Sequence, residues 1–71
     1  MPEMHLVSSS NVEAVGYDTA TRELHVRFLK SGLTYVYYDV DEYVFIELRN
    51  ANSVGTYLNQ NIIPRYQCGK L

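Results

Sequence analysis

The chain has 71 residues and a formal net charge of −2, and 46% of its residues are hydrophobic against 20% charged. This composition excludes an intrinsically disordered chain, and a chain this short builds one domain around one core. The slight acidic excess gives no support to a dedicated duplex-DNA binder, because neutralising phosphates normally requires a clear basic surplus.

The cysteine and histidine content limits the chemistry that the chain can support. Cys68 is the only cysteine, so no intramolecular disulfide can form and we expect a cytoplasmic protein. His5, His25 and Cys68 lack the short spacing of a zinc site, so we expect no metal and no cofactor. No apolar run approaches the roughly 20 residues that span a bilayer, and residues 1–7 lack the cationic start of a signal peptide.

Residues 1–10 are predicted to form a flexible lead-in to a single domain over residues 11–63. The first predicted strand runs from Val12 to Asp18. Val12 and Val15 would lie on opposite faces of a regular strand, so we expect a bulge near Ala14 or Gly16 that brings both valines to one face.

Two further strands have clearer patterns. Residues 23–29 alternate, with Leu24, Val26 and Phe28 on one face and Glu23, His25 and Arg27 on the other. A short turn at residues 30–32 leads to a strand over residues 33–39 that is rich in β-branched and aromatic side chains. Three short strands with tight connections predict an antiparallel meander.

The chain then changes to a helical period, because one apolar stripe contains Val40, Val44, Phe45, Leu48 and Ala51. Asp39 is predicted to cap this helix, with Glu42 at the position of a capping-box partner. Ser53 is predicted to cap a second helix ending near Gln60, and residues 64–71 are expected to form a partly disordered tail. The predicted fold class is therefore α+β, a three-stranded antiparallel β-meander followed by two short helices packed on one face.

The predicted core takes the apolar faces of these elements: Val12 or Val15, Leu24, Val26, Phe28, Val40, Val44, Phe45, Leu48 and Leu58. The aromatic stretch from Tyr35 to Tyr38 completes it in one of two ways. Tyr35 and Tyr37 share one face of the strand while Val36 and Tyr38 share the other, so either pair can point inward.

Two helices cover only one face of a sheet, so the opposite face is the predicted functional surface. Tyrosines beside cations on a sheet can stack unpaired bases, and this makes His25, Arg27, Tyr35, Tyr37 and Tyr38 the candidate binding surface. On this hypothesis the chain is a nucleic-acid-binding accessory module whose partner is single-stranded RNA or tRNA, and Arg27→Ala weakens binding. The alternative is a protein-interaction module or homodimer that buries the same apolar face.

Catalysis has little support in the sequence. His25 and Glu23 lie two residues apart on one strand face, a spacing more typical of an exposed, solvated pair than of a base and its orienting group. The glycines are isolated, so no phosphate-cradling loop is present. We therefore expect no enzyme and assign no catalytic residues.

Short motifs along the chain follow the order found in a known small family. They are Ser10-Asn11-Val12, Val15-Gly16-Tyr17-Asp18, Leu24-His25-Val26-Arg27-Phe28 with Gly32, Tyr35-Val36-Tyr37, and a helical half with Val40, Val44-Phe45, Leu48, Ala51, Ser53, Gly55, Tyr57-Leu58-Asn59 and Ile62. This stretch, residues 8–66, resembles the KTSC domain. Asp41 stands where the family often has proline, and Leu58 stands where it usually has phenylalanine.

The resemblance implies a module that occurs alone in bacteria and phages or appended to the C-terminus of some lysyl-tRNA synthetases. That second context implies binding of RNA or of a protein. The resemblance supplies no catalytic residues, and it agrees with the expectation of a non-catalytic binding module.

Overall fold

The structure is a computed structural model that describes residues 2–71. One antiparallel sheet has the strand order β1 (His5–Leu6), β2 (Val12–Asp18), β3 (Glu23–Phe28), β4 (Thr34–Tyr37) and β5 (Cys68–Lys70). Between β4 and β5 the chain forms helix α1 (Glu42–Asn50) and helix α2 (Val54–Tyr57), which continues as a π-helical turn, Leu58–Ile62. The predicted α+β class is confirmed.

The sheet has five strands, so the prediction of three strands was wrong. The two additional strands come from the segments expected to be a flexible lead-in and a disordered tail. β1 pairs with β2 through His5 and Val15, and β5 pairs with β4 through Gly69 and Val36. Strands of two and three residues show no alternation of their own, and their backbone pairing to longer neighbours holds them in place.

The predicted bulge in β2 is confirmed and lies at Glu13. The register with β3 shifts there, so Val12 opposes Phe28 while Ala14 opposes Arg27. This extra residue puts both Val12 and Val15 in the core, where neither is exposed.

The start of α1 differs from the prediction that Asp39 caps it. The N-cap residue is Asp41, and its side chain makes no capping hydrogen bond. Its carboxylate instead binds the guanidinium of Arg22, which also pairs with Asp39 at 3.4 Å. Asp39 has a positive φ of 62°, so the chain bends there and the expected capping box does not form. The Ser53 cap of α2 is confirmed, because its Oγ accepts a hydrogen bond from the Thr56 amide at 3.2 Å.

The helices pack on the sheet face that carries Leu24 and Val26, and the core lies between these two layers. Its buried residues are Val12, Val15, Leu24, Val26, Tyr37, Val40, Val44, Phe45, Leu48, Val54, Leu58 and Ile62. Tyr35 opposes Val26 and packs at the margin of this core, so Tyr35 with Tyr37 is the pair that points inward.

Candidate functional site

We call the sheet face away from the helices the outer face. It carries only some of the residues of the predicted binding surface. Cross-strand partners share a face, and Tyr35 and Tyr37 oppose Val26 and Leu24 of the core. His25 and Arg27 oppose Val36 and Thr34 on the outer face. Tyr38 also lies there, because a Cβ built on Gly69 would meet its hydroxyl at 2.7 Å. The structure therefore separates the five predicted residues into two groups.

Small side chains and flanking segments close the outer face. Ala14 is fully buried and Val36 is 3% exposed, although no helix covers them. Gly16 has no room for a side chain, since a Cβ there would lie 2.6 Å from the Glu3 carbonyl oxygen and 2.8 Å from the Met4 sulfur. The segment around Glu3 and Met4 thus crosses the sheet at Gly16. This face is not an open aromatic platform.

His25 occupies the centre of the outer face and is only 4% exposed. The expectation of an exposed, solvated pair with Glu23 was wrong for the histidine. Its Nε2 lies 3.4 Å from the Glu23 Oε1, and its buried Nδ1 has no hydrogen-bond partner among residues 2–71. An unsatisfied buried polar atom costs about 1–3 kcal/mol of stability.

Arg27 pairs with Glu13, the bulge residue of β2. Its Nη2 lies 3.3 Å from the Glu13 Oε2, and about one third of each side chain is exposed. The outer face therefore carries a compensated ion pair beside its buried histidine, and the attraction of Arg27 for a phosphate is reduced.

Four tyrosines, two exposed and two partly buried, gather instead where the start of α1, the π-helical turn and the end of β4 meet. We call this surface the tyrosine end and define it as Tyr38, Tyr43, Tyr57, Arg65 and Tyr66. Two grooves adjoin there, one of 150 Å³ between Tyr43, Tyr57 and Tyr66 and one of 360 Å³ beside Tyr38. Arg65 and Tyr66 line both grooves, so the surface is continuous.

The rings of the tyrosine end differ in exposure. Tyr43 is 61% exposed and Tyr38 is 44% exposed. Tyr57 is more buried and donates a hydrogen bond from its hydroxyl to the Glu47 Oε1 at 2.6 Å. Burial, and then the bonded Glu47 carboxylate, raise the pKa of Tyr57 to about 12, so this phenol stays protonated at neutral pH.

Arg65 is the cation of the tyrosine end. Within residues 2–71, the ion pairs involve Arg22, His25 and Arg27, and Arg65 has no carboxylate partner. The two carboxylates that line these grooves have partners of their own, since Asp39 pairs with Arg22 and Glu47 accepts from Tyr57. The arrangement can stack planar groups and hold an anion between them.

Of this surface, the sequence predicted only Tyr38 as a binding residue. Tyr38, Tyr43, Tyr57 and Tyr66 come from four separate segments, and no local pattern brings them together. The one relevant feature of the sequence is its count of seven tyrosines in 71 residues, which is more than a small core can bury.

Two negative findings concern the described part of the chain. Residues 2–71 bring together no group of three or more histidine, cysteine or acidic side chains that could hold a metal ion. The same residues contain no helix that is long and apolar enough to cross a membrane.

A family model and a solved structure point to the same family. The sequence model of the KTSC domain matches residues 8–66. A protein of Tsukamurella paurometabola is 44% identical over 64 residues, which cover 90% of this chain and 94% of that protein. The crystal structure of a KTSC domain protein from Yersinia pestis superimposes with a TM-score of 0.94 at 31% identity, covering 100% of this chain and 99% of that one. The predicted resemblance is confirmed.

Proposed function

The chain belongs to the KTSC domain family, and we propose that it is a non-catalytic binding module for single-stranded RNA. The observation that carries the proposal is the tyrosine end, where exposed Tyr38 and Tyr43 lie on either side of the unpaired Arg65. Aromatic faces that flank a cation are the usual elements of single-strand recognition.

Each part of this surface has a separate task in the proposal. An exposed ring stacks on one base and contributes about 1–3 kcal/mol, whatever the base. Arg65 offers its planar guanidinium to a phosphate oxygen pair. Tyr57 stays fixed by its bond to Glu47 and supports the floor of the groove. We therefore expect little sequence preference.

The single arginine of the tyrosine end sets the expected salt dependence of binding, and the net charge of −2 adds no further attraction for RNA. A surface with one arginine neutralises one phosphate, so the slope of log K against log salt is about −0.7. Stacking supplies most of the remaining free energy. The expected affinity is modest and highest at low salt. A cytoplasmic location, which the single cysteine favours, suits such a ligand.

The test is a fluorescence anisotropy titration of a labelled single-stranded RNA oligonucleotide at low salt. Tyr43→Ala and Arg65→Ala are each expected to weaken binding about tenfold, the equivalent of 1.4 kcal/mol. Arg27→Ala is the matched control, because its guanidinium already pairs with Glu13. Absence of binding by the unmodified protein up to about 1 mM would overturn the proposal.

Self-association is a second candidate, and the observation that favours it is Leu6. This side chain is 79% exposed on the edge strand β1, where a second copy could pair backbone to backbone. Sedimentation velocity distinguishes the two candidates. A dimer that Leu6→Lys dissociates would support self-association, and a monomer at high concentration would exclude it.

A further inference from the structure

A third groove lies at the opposite end of the sheet from Tyr38, between the end of β3 and the second helix. Its volume is 250 Å³, and the residues that line it are Asn11, Val12, Phe28, Lys30, Ser31, Gly55, Leu58 and Asn59. We call it the asparagine groove. Val12, Phe28 and Leu58 give it an apolar floor, and the polar side chains stand around its rim.

The Phe28 ring is the flat element of this groove, and its neighbour holds it in place. Tyr35 meets it edge to face, with ring centroids 5.6 Å apart and an interplanar angle of 85°. Phe28 is only partly buried, so part of it stays accessible from the groove. A ring fixed in this way is a preorganised stacking surface for a planar ligand.

Three polar side chains at the rim are free to form hydrogen bonds or ion pairs with a ligand. The Asn11 and Asn59 amides and the Lys30 ammonium make no side-chain hydrogen bond or ion pair within residues 2–71. An apolar pocket with a few converging polar groups is the usual form of a small-molecule site. The volume lies below the roughly 300–1,000 Å³ of sites that enclose larger ligands, so one ring system fits.

We propose that the asparagine groove binds a nucleoside 5′-phosphate. The base stacks on Phe28, the Asn11 and Asn59 amides bond to its edge, and the phosphate pairs with Lys30 at the rim of the groove. A side-chain amide can donate and accept at once, which suits the N6 and N7 atoms of adenine. This inference does not depend on the proposed RNA-binding surface, which lies at the other end of the sheet.

The test is a ¹H–¹⁵N NMR titration of the labelled protein with adenosine 5′-monophosphate, with adenosine and inorganic phosphate as separate arms. The expected result is shifts at Asn11, Lys30, Gly55 and Asn59 with the nucleotide, smaller shifts at the same residues with adenosine, and none there with phosphate alone. Lys30→Gln is expected to weaken nucleotide binding about tenfold and to leave adenosine binding unchanged.

Matched variants make the outcome specific. Arg49→Gln removes a cation that lies over the Phe45 ring and does not line the groove, so it is expected to leave the titration unchanged. Asn59→Ala is expected to weaken the binding of both nucleotide and adenosine. The spectra of each variant report its folding. No shifts at the groove up to about 10 mM nucleotide, or equal shifts with phosphate alone, would overturn this inference. A single-stranded RNA that still shifts Arg65 and Tyr66 would leave the proposed function standing.

Discussion

The two faces of the sheet are buried by different means. The inner face carries large aliphatic side chains such as Leu24 and Val26, and two helices cover it. The outer face carries Ala14, Gly16 and the compact ring of His25, and only a crossing segment and a tyrosine flank it. Small residues can thus bury a face without a second helical layer. The two most exposed tyrosine rings, Tyr38 and Tyr43, belong to the tyrosine end.

The largest expected effect is on the inner face, where Leu48 of α1 is fully buried in the core. Leu48→Ala removes buried methyl groups and leaves a cavity, so we expect the free energy of unfolding to fall by about 3 kcal/mol. Urea denaturation followed by circular dichroism measures this. A loss below about 1 kcal/mol would mean that the helices contribute little to closing that face.

A smaller effect is expected on the outer face at Gly16. Gly16→Ala places a methyl group against the Glu3 carbonyl and the Met4 sulfur, so we expect a loss of about 1–3 kcal/mol. The same denaturation experiment on a chain that begins at His5, released by cleavage from a fusion protein, is the control. There the alanine is expected to cost much less, because the crowding atoms are gone. An equal cost in both backgrounds would contradict the packing described for this face.

For His25, we expect a substitution to leave the free energy of unfolding unchanged or to raise it. His25→Leu removes the buried, unpartnered Nδ1, so we expect the free energy of unfolding to stay the same or to rise by about 1 kcal/mol. The matched control is His5→Leu, which replaces a less buried ring that packs on Phe45. Strong destabilisation by His25→Leu would show that the imidazole makes a favourable interaction essential to the outer face.

The smallest expected effect, below about 1 kcal/mol, concerns Tyr57 and alkaline pH. The native pKa of Tyr57 is raised to about 12, whereas an unfolded tyrosine titrates near pH 10. Its contribution to stability is therefore fully present below about pH 10 and is lost as the pH rises toward 12. Tyr57→Phe is expected to differ most from the unmodified protein at neutral pH, with the difference narrowing above pH 10. A pH-independent difference would contradict the raised pKa.

Alternating and helically spaced apolar residues in the sequence predicted most of the fold. They predicted β2, β3, β4 and the inward face of α1, because each of these carries several large apolar side chains that enter the core. The edge strands at His5–Leu6 and Cys68–Lys70 escaped prediction because their positions depend on pairing with distant strands. The cap of α1 was predicted wrongly because Asp41 binds Arg22, which lies 19 residues earlier in the chain.

The candidate site was less predictable than the fold. The choice between Tyr35 with Tyr37 and Val36 with Tyr38 needs the register between β3 and β4, which alternation alone does not fix. The tyrosine end needs the arrangement of four segments in space. The closure of the outer face depends on the positions of Glu3 and Met4, and no local sequence pattern predicts that these residues lie against Gly16.

One experiment decides which surface meets the ligand. The ¹H–¹⁵N spectrum of the labelled protein is recorded while single-stranded RNA is added at low salt. We predict shifts centred on Tyr43, Arg65 and Tyr66, with Arg27 and Thr34 of the outer face unchanged. Shifts centred on Arg27 and Thr34, or no shifts at all, would contradict the assignment of RNA binding to the tyrosine end.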